Sequence, residues 1–349
     1  MELDLRKQKI LQAIVQDYVT TAEPVGSHVL VERYSLGVKS ATIRNEMAEM
    51  SDWGYLRQPH TSAGRVPSDR GYRFYVNRLM PLPVIQQGES DRIRRAVESA
   101  STEFDAILRR TCALLAEMTR LPAMATPPDA DDTELRQIFV TPAGADKILL
   151  VLLFSTGRTE NRLLNISLTA SAALTLANAL NARLRDSPLS VLRAGIPAAD
   201  TPPREMQALK SQWFRLCEEI VAAARAIGAN TPLYLEGANS VLSQPEFRDV
   251  ERLSQFLSTL QERAALLELL GRALGVDRRV NVHVSIGRET GRPELTDYSF
   301  VSSAYYVGGK ERGCIGVLGP TRMDYARAAA SVDLMARTMG DVLTRLSVS

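Results

Sequence analysis

The sequence predicts a multidomain α+β protein, with an N-terminal winged helix-turn-helix head and an α+β body that carries an inserted segment. Length is the first observation. The chain has 349 residues, and domains of roughly 150 residues would make two to three of them. The second is a change of period. Residues 1–80 hold three short helical patterns, whereas the longer strand-like runs begin at residue 135. Third, those runs fall into two groups, 135–168 and 280–318. A long, mostly helical stretch separates them, as when a segment is inserted between two parts of one sheet.

The head is read element by element. A first helix spans about Asp4 to Val19, with Ile10, Leu11, Ile14, Val15 and Tyr18 on one apolar face. Glu23-Pro24 bars its continuation. A short helix follows near Gly26 to Tyr34, with Val29 and Leu30 inward. Ser35 to Val38 is a turn of the length that joins helix-turn-helix elements. The third helix runs from about Ala41 to Trp53, with Ser40 as N-cap and Gly54 at the C′ position. Ile43, Met47 and Met50 face its core side, which leaves Thr42, Arg44, Asn45, Ala48 and Glu49 outside. Helix-turn-helix proteins read bases with the N-terminal part of this helix. Arg44 suits guanine and Asn45 adenine, by paired hydrogen bonds. Lys39, Ser40 and Thr42 suit the flanking phosphates.

Tyr55-Leu56-Arg57 then enters a hairpin, and His60 to Pro67 forms its loop and return. From Arg57 to Arg78 five arginines face one acid, Asp69, a local +4 in 22 residues. The whole head is only +2, from 11 basic and 9 acidic residues. The charge is therefore concentrated in the wing, within reach of phosphates or a minor groove. Arg57, His60, Arg65, Arg70 and Arg73 accordingly join the expected DNA contacts. Two other readings stay open. The hairpin could be a solvated face of a protein-binding module, and Arg70 and Arg73 could brace the helix around Tyr72 to Val76.

The stretch 81–90, PLPVIQQGES, reads as a linker. Ser90 to Leu121 is amphipathic and helical, and the run 119–132 breaks it. Leu135–Val140, Lys147–Ser155 and Asn161–Leu168 read as strands. Ser171 to Arg185 returns to helix, with breakers at Pro188 and at Gly195 to Pro203. Further helices cover Arg204–Ile227 and Val250–Leu274, the second stopped at Gly275, with a short strand at Leu233–Glu236 between them. Strands at Val280–Ile286, Tyr298–Val307 and Cys314–Leu318 precede a last helix, Arg322–Leu346. On the helix 204–227, Trp213 and Phe214 are candidate dimer anchors, with a core stripe as the alternative.

Several function classes are excluded. Apolar residues at 45% and charged residues at 23% are ordinary globular usage, so the chain is not disordered throughout. Net charge is +2, which excludes a uniformly basic coat but not a local patch. Cys112, Cys217 and Cys314 are far apart and read as small buried hydrophobes. His28, His60 and His283 show no metal-ligand spacing, and no nucleophile elbow or P-loop occurs. Gly313 to Gly319 has a GxxGxxG spacing that reads as a strand with turns at its ends, not a dinucleotide fingerprint. No catalytic residue, metal or cofactor is expected. The N-terminus lacks a signal-peptide core, and the longest aliphatic run, Ile148–Phe154, is far short of the ~20 residues that span a bilayer. A cytoplasmic location without membrane contact is expected.

Literal runs carry more than the pattern. Glu23-Pro24-Val25-Gly26-Ser27, Ser40 to Met47, Gly54-Tyr55-Leu56, His60 to Pro67, Gly71-Tyr72-Arg73 and Gly316 to Tyr325 resemble the heat-inducible transcription repressor family HrcA. The resemblance covers nearly the whole chain and is weakest between about 185 and 250. It implies bacterial repressors of chaperone operons that bind an inverted-repeat operator, CIRCE, as homodimers on double-stranded DNA. It also implies release on heat stress and modulation by the chaperonin GroEL. The implied fold is a winged helix at 1–80, a linker at 81–90, a GAF-like domain at 91–175 and 250–349, and an inserted dimerisation domain at 176–249. The recognition helix would be Ser40 to Trp53 and the wing would lie around Gln58 to Val66. His28 and Val29 depart from the family, where Lys and a small polar residue are frequent. A sensor that binds a small molecule in the GAF-like domain is the alternative.

Overall fold

The structure, a computed structural model, describes residues 3–60, 63–81, 85, 87–98, 103–128, 133–155, 157, 159–196, 204–229, 232–275, 282–309 and 311–348. The head opens with α1 (Leu5–Thr21), α2 (Ser27–Arg33) and α3 (Ser40–Asp52). Asp4 caps α1 by accepting from the Lys7 N–H at 2.8 Å, and Ala22 ends it in the left-handed region at φ 58°. The hairpin is short: β1 (Leu56–Arg57) pairs with β2 (Val66–Pro67) in an antiparallel ribbon. Helix α4 (Asp69–Phe74) follows and runs on as one π turn through Leu79. It starts hard against the hairpin. A Cβ on Gly71 would sit 2.2 Å from the Tyr55 carbonyl oxygen, so only glycine fits there.

The periodic stretch 90–121 is two helices, α5 (Gln87–Glu98) and α6 (Phe104–Thr119). The first begins inside the expected linker, part of which, like residues 99–102, lies outside the described residues. Then come β3 (Ala123–Ala125), β4 (Leu135–Pro142), β5 (Ile148–Phe154) and β6 (Thr159–Leu164). Helices α7 (Ala170–Leu184), α8 (Leu189–Ala194) and α9 (Lys210–Ala229) follow. Next are β7 (Tyr234–Glu236), α10 (Val250–Gln261), α11 (Arg263–Gly271), β8 (His283–Ile286), β9 (Tyr298–Val307), β10 (Glu311–Pro320) and α12 (Tyr325–Val348). The single helix expected at 250–274 is therefore two helices, and Val280, expected to begin a strand, lies outside the described residues.

The sheets correct the expected partition. Strands β7-β3-β10-β9-β8 form one antiparallel sheet, while β4-β5-β6 form another. The groups 135–168 and 280–318 thus do not share a sheet. The three-stranded sheet packs under α7, α8 and α9 in its own core, with Leu150, Leu152, Leu176, Leu180, Leu216 and Ile220. Residue 175 therefore cannot bound the insert, because it lies inside α7, which packs on β4. Nor does residue 249 bound it, because β7 belongs to the larger sheet. What is inserted runs from about β4 to α9, and β3 and β7 close over its two ends.

Without that segment the body is an α+β layer structure, as expected of a GAF-like domain. Counted within the body, its strand order is 2-1-5-4-3. One face of its sheet meets α6 and α12; the other is filled by Phe247, Phe256, Leu266, Leu270, Tyr298 and Phe300. The head does not stand apart. Its core residues Ile10, Ile14, Ile43 and Met50 are continuous, through Tyr72 and Tyr75, with Val301, Tyr325 and Val332 of the body.

Candidate nucleic-acid interface

Helix α3 is clamped from behind. Glu46 is buried and meets Lys7 of α1 at 2.5 Å and the Arg6 guanidinium at 2.9 Å. Lys7, also buried, reaches Glu49 at 3.2 Å and lies over the Trp53 ring. Contact with Glu46 holds the Lys7 ammonium above its ordinary pKa, against the opposing effect of burial. This charge-on-charge seam fixes α3 against α1, while Ile43, Met47 and Met50 fill the apolar contact between them.

The outward side of α3 is different in kind. Arg44, Asn45, Ala48 and Glu49 are exposed, and Thr42 is half-buried. Among the described residues the Arg44 and Asn45 side chains have no hydrogen-bond or ionic partner. Exposed Lys39 occupies the N-cap and supplies no side-chain cap. Among the described residues, then, no side chain caps the first N–H groups of α3, at the positive end of the helix dipole. Ser40 corrects an expectation: it is the first helical residue, and its hydroxyl shares a 2.8 Å hydrogen bond with Ser27 Oγ. It braces α2 to α3.

The wing divides the basic residues further. Arg57 and His60 are exposed on the hairpin. Arg65 is half-buried; its backbone pairs with Val25, and its Nε donates to Ser51 Oγ at 2.9 Å. Arg70 donates to the Trp53 carbonyl at 2.7 Å and stacks 4.5 Å from the Tyr55 ring centroid. It closes the C-terminal end of α3. Arg73 donates through Nε to Glu289 at 2.8 Å and through Nη2 to the Val284 carbonyl at 2.6 Å, both in the body. The expectation that Arg70 and Arg73 contact DNA is thus corrected towards bracing, because each guanidinium is engaged within the chain, but what they brace is the end of α3 and the body rather than the helix around Tyr72 to Val76.

Trp213 is corrected as well. It is 1% exposed, inside the core of the three-stranded sheet, with the Arg183 guanidinium 5.2 Å from its ring. A side chain buried in its own subunit cannot anchor a second one. Phe214 is half-buried beside it.

Reasoning from sequence missed another apolar surface. On the outer side of the three-stranded sheet, Phe139 pairs with Val151 and Leu149 with Leu163, and Leu153 lies beyond. Phe139 and Leu163 are 47% and 60% exposed. The signal was present in β5, Ile148-Leu-Leu-Val-Leu-Leu-Phe154, which has no polar alternate. An antiparallel strand covered on one face alternates; an uninterrupted apolar strand is of the kind covered on both. No helix among the described residues is long and apolar enough to cross a membrane.

Comparison with known proteins bears on the whole chain. Residues 105–329 match the family model described as the HrcA protein C-terminal domain. A heat-inducible transcription repressor HrcA of Ruminiclostridium cellulolyticum is 35% identical over 351 residues, covering 99% of each chain. One from Moorella thermoacetica is 37% identical over 349 residues, again with 99% of each covered. One from Symbiobacterium thermophilum is 37% identical over 344 residues, covering 97% of this chain and 98% of that one. Among solved structures, a crystal structure of a hypothetical protein superposes with a TM-score of 0.64 at 23% identity, covering 99% of this chain and 100% of that one.

Proposed function

The chain belongs to the HrcA family of heat-inducible transcription repressors, and from that premise we propose that it represses chaperone operons by binding the CIRCE inverted repeat as a homodimer. The observation that carries this reading is the outward face of α3, where Arg44 and Asn45 are exposed and, among the described residues, without a partner. Bidentate hydrogen bonding by these types, two donors from Arg to guanine and one donor with one acceptor from Asn to adenine, matches base edges in the major groove. Lys39 and Thr42 at the start of α3, with Arg57 and His60 on the hairpin, would take the flanking phosphates, a reading supported by the exposure of Lys39, Arg57 and His60. A two-fold dimer presents two such helices to two half-sites, separated by about one helical turn or a multiple of it.

The second copy covers the outer face of β4-β5-β6. The apolar stripe of Phe139, Leu149, Val151, Leu153 and Leu163 supports this, because a two-fold axis through one apolar sheet face makes a self-complementary contact. Val151→Asp is expected to halve the mass in sedimentation. An unchanged dimer would move the interface elsewhere.

Heat stress releases the operator, the chaperonin GroEL promotes the active form, and the protein works in the cytoplasm; family membership supports each of these. The sensor alternative loses ground because both faces of the larger sheet are filled by the chain's own side chains. The test is a gel shift at fixed salt on a CIRCE duplex and a scrambled duplex, with and without GroEL. Tight binding to the repeat alone, improved by the chaperonin, is expected. Equal weak binding to both duplexes by confirmed dimer would sink the repressor reading.

A further inference from the structure

Two arginines, one from each side, fasten the head to the body. Arg322, on the loop before α12, is 7% exposed. Its Nη1 donates to the carbonyl of Val19 in the last turn of α1, a group with no partner inside that helix. Its Nε and Nη2 hold Glu246 at 2.6 and 3.1 Å, and Nη2 also reaches Gln244 at 3.1 Å. A cation at the C-terminal end of α1 also suits the helix dipole. From the other side, Arg73 of the head grips Glu289 and the Val284 carbonyl. The Arg288 N–H donates to Asp69, and Glu289 accepts from the Ile286 N–H at 2.9 Å. Between the two grips lie Tyr72 and Tyr325, ring centroids 5.5 Å apart.

We propose that Arg322 and Glu289 are positioning residues, which act through α1 and α4 to hold the recognition helix at one angle to the body and so set the half-site spacing the dimer reads. The path is continuous. Arg322 holds the end of α1, α1 holds α3 through Lys7 and Glu46, and Glu289 holds α4 through Arg73. A head free to swing would still bind one half-site. It would lose the gain from binding both at once, a gain that depends on geometry. The grip is not uniformly favourable. The Tyr72 hydroxyl is buried with no hydrogen-bond partner among the described residues, which disfavours the docked pose.

This rests on the repressor reading, so the experiment has an arm independent of DNA. Wild type, Arg322→Met, Glu289→Gln and Tyr72→Phe are compared as full-length dimers. Binding is measured to a single half-site, to the natural repeat, and to a repeat with its spacer lengthened by about half a helical turn, ~5 bp. For Arg322→Met and Glu289→Gln, half-site affinity should stay within about twofold. Affinity for the natural repeat should fall by roughly tenfold or more, towards that of the altered repeat. Hydrogen exchange without DNA should speed up at residues 18–22 and 284–289 in these two variants and slow down in Tyr72→Phe. Retained spacing preference, or equal loss on half-site and repeat, would overturn the proposal. So would unchanged exchange at both segments. A wild type indifferent to the repeat would instead defeat the repressor reading, and exchange would still decide whether the grip exists.

Discussion

The outward face of α3 and the segment 65–73 are both polar, and both carry arginine, yet they differ in what their side chains are free to do. Arg44 projects from α3 with no intramolecular partner among the described residues. Arg65, Arg70 and Arg73 each donate to a group of the chain itself. The larger cluster of positive charge is thus chiefly structural, and the sparser one is available to a ligand. Counting charge along a sequence measures supply, whereas availability depends on carbonyls and carboxylates brought near by folding.

Four experiments would sharpen or break that contrast. The largest effect belongs to the inward side of α3. Glu46→Ala removes the shortest of three carboxylate contacts to the buried Lys7 ammonium, leaving Glu49 and Asp4, and should cost about 2–3 kcal/mol of stability, as losing a hydrogen bond between charged groups does. A denaturation midpoint within error of wild type would show that the seam contributes nothing. Next, Arg44→Ala should leave the midpoint alone and weaken operator binding by about 1–3 kcal/mol, with relaxed preference at one base pair. Equal affinity would mean that α3 enters the groove in another register. Arg70→Ala should cost about 1 kcal/mol of stability, by releasing the Trp53 carbonyl and the Tyr55 ring. Its log K against log salt slope should match wild type. Arg57→Ala, exposed on the hairpin, should do the reverse and shrink that slope by about 0.9. If the two slopes came out exchanged, the division between bracing and contacting arginines would fail.

The smallest effect is a pH dependence beside Arg73. Burial, with the charges of Arg73 and Arg272, lowers the pKa of His283 from its ordinary 6.5. A base with a depressed folded pKa contributes stability that is complete above the unfolded value, about 6.5, and lost as pH falls through the folded one. Burial alone would raise the neighbouring Glu289 carboxyl, but hydrogen bonds from Arg73 and the Ile286 N–H outweigh it and bring the pKa down. That contribution fades only at lower pH. The thermal midpoint should therefore drop from pH 7.5 to 5.5, and His283→Gln should flatten the drop. A midpoint that rose on acidification would contradict this sign.

Legibility varied with the range of the interaction. The three head helices could be read because their apolar spacing and their stop signals, Pro24 and Gly54, are local. So could the outward set on α3, since facing follows from 3.6-residue geometry once the core side is known. The Ser40 cap was misjudged because Ser27 competes for its hydroxyl, thirteen residues earlier. Trp213 looked like a surface anchor because an amphipathic helix shows that it has an apolar face, not what covers it. The insert's limits were misplaced because strand runs do not reveal their partners, and two groups of strands were assigned to one sheet.

The sequence by itself determined the head, the order of elements, the exposed base-reading candidates and, through literal motifs, the family. Those depend on near neighbours in the chain or on residues that stay legible one at a time. Only the tertiary structure decided which strands pair, which arginines are already occupied, and that Arg322 meets the end of a helix 303 residues away. These depend on pairings between distant segments, where many partners are chemically acceptable and packing selects one.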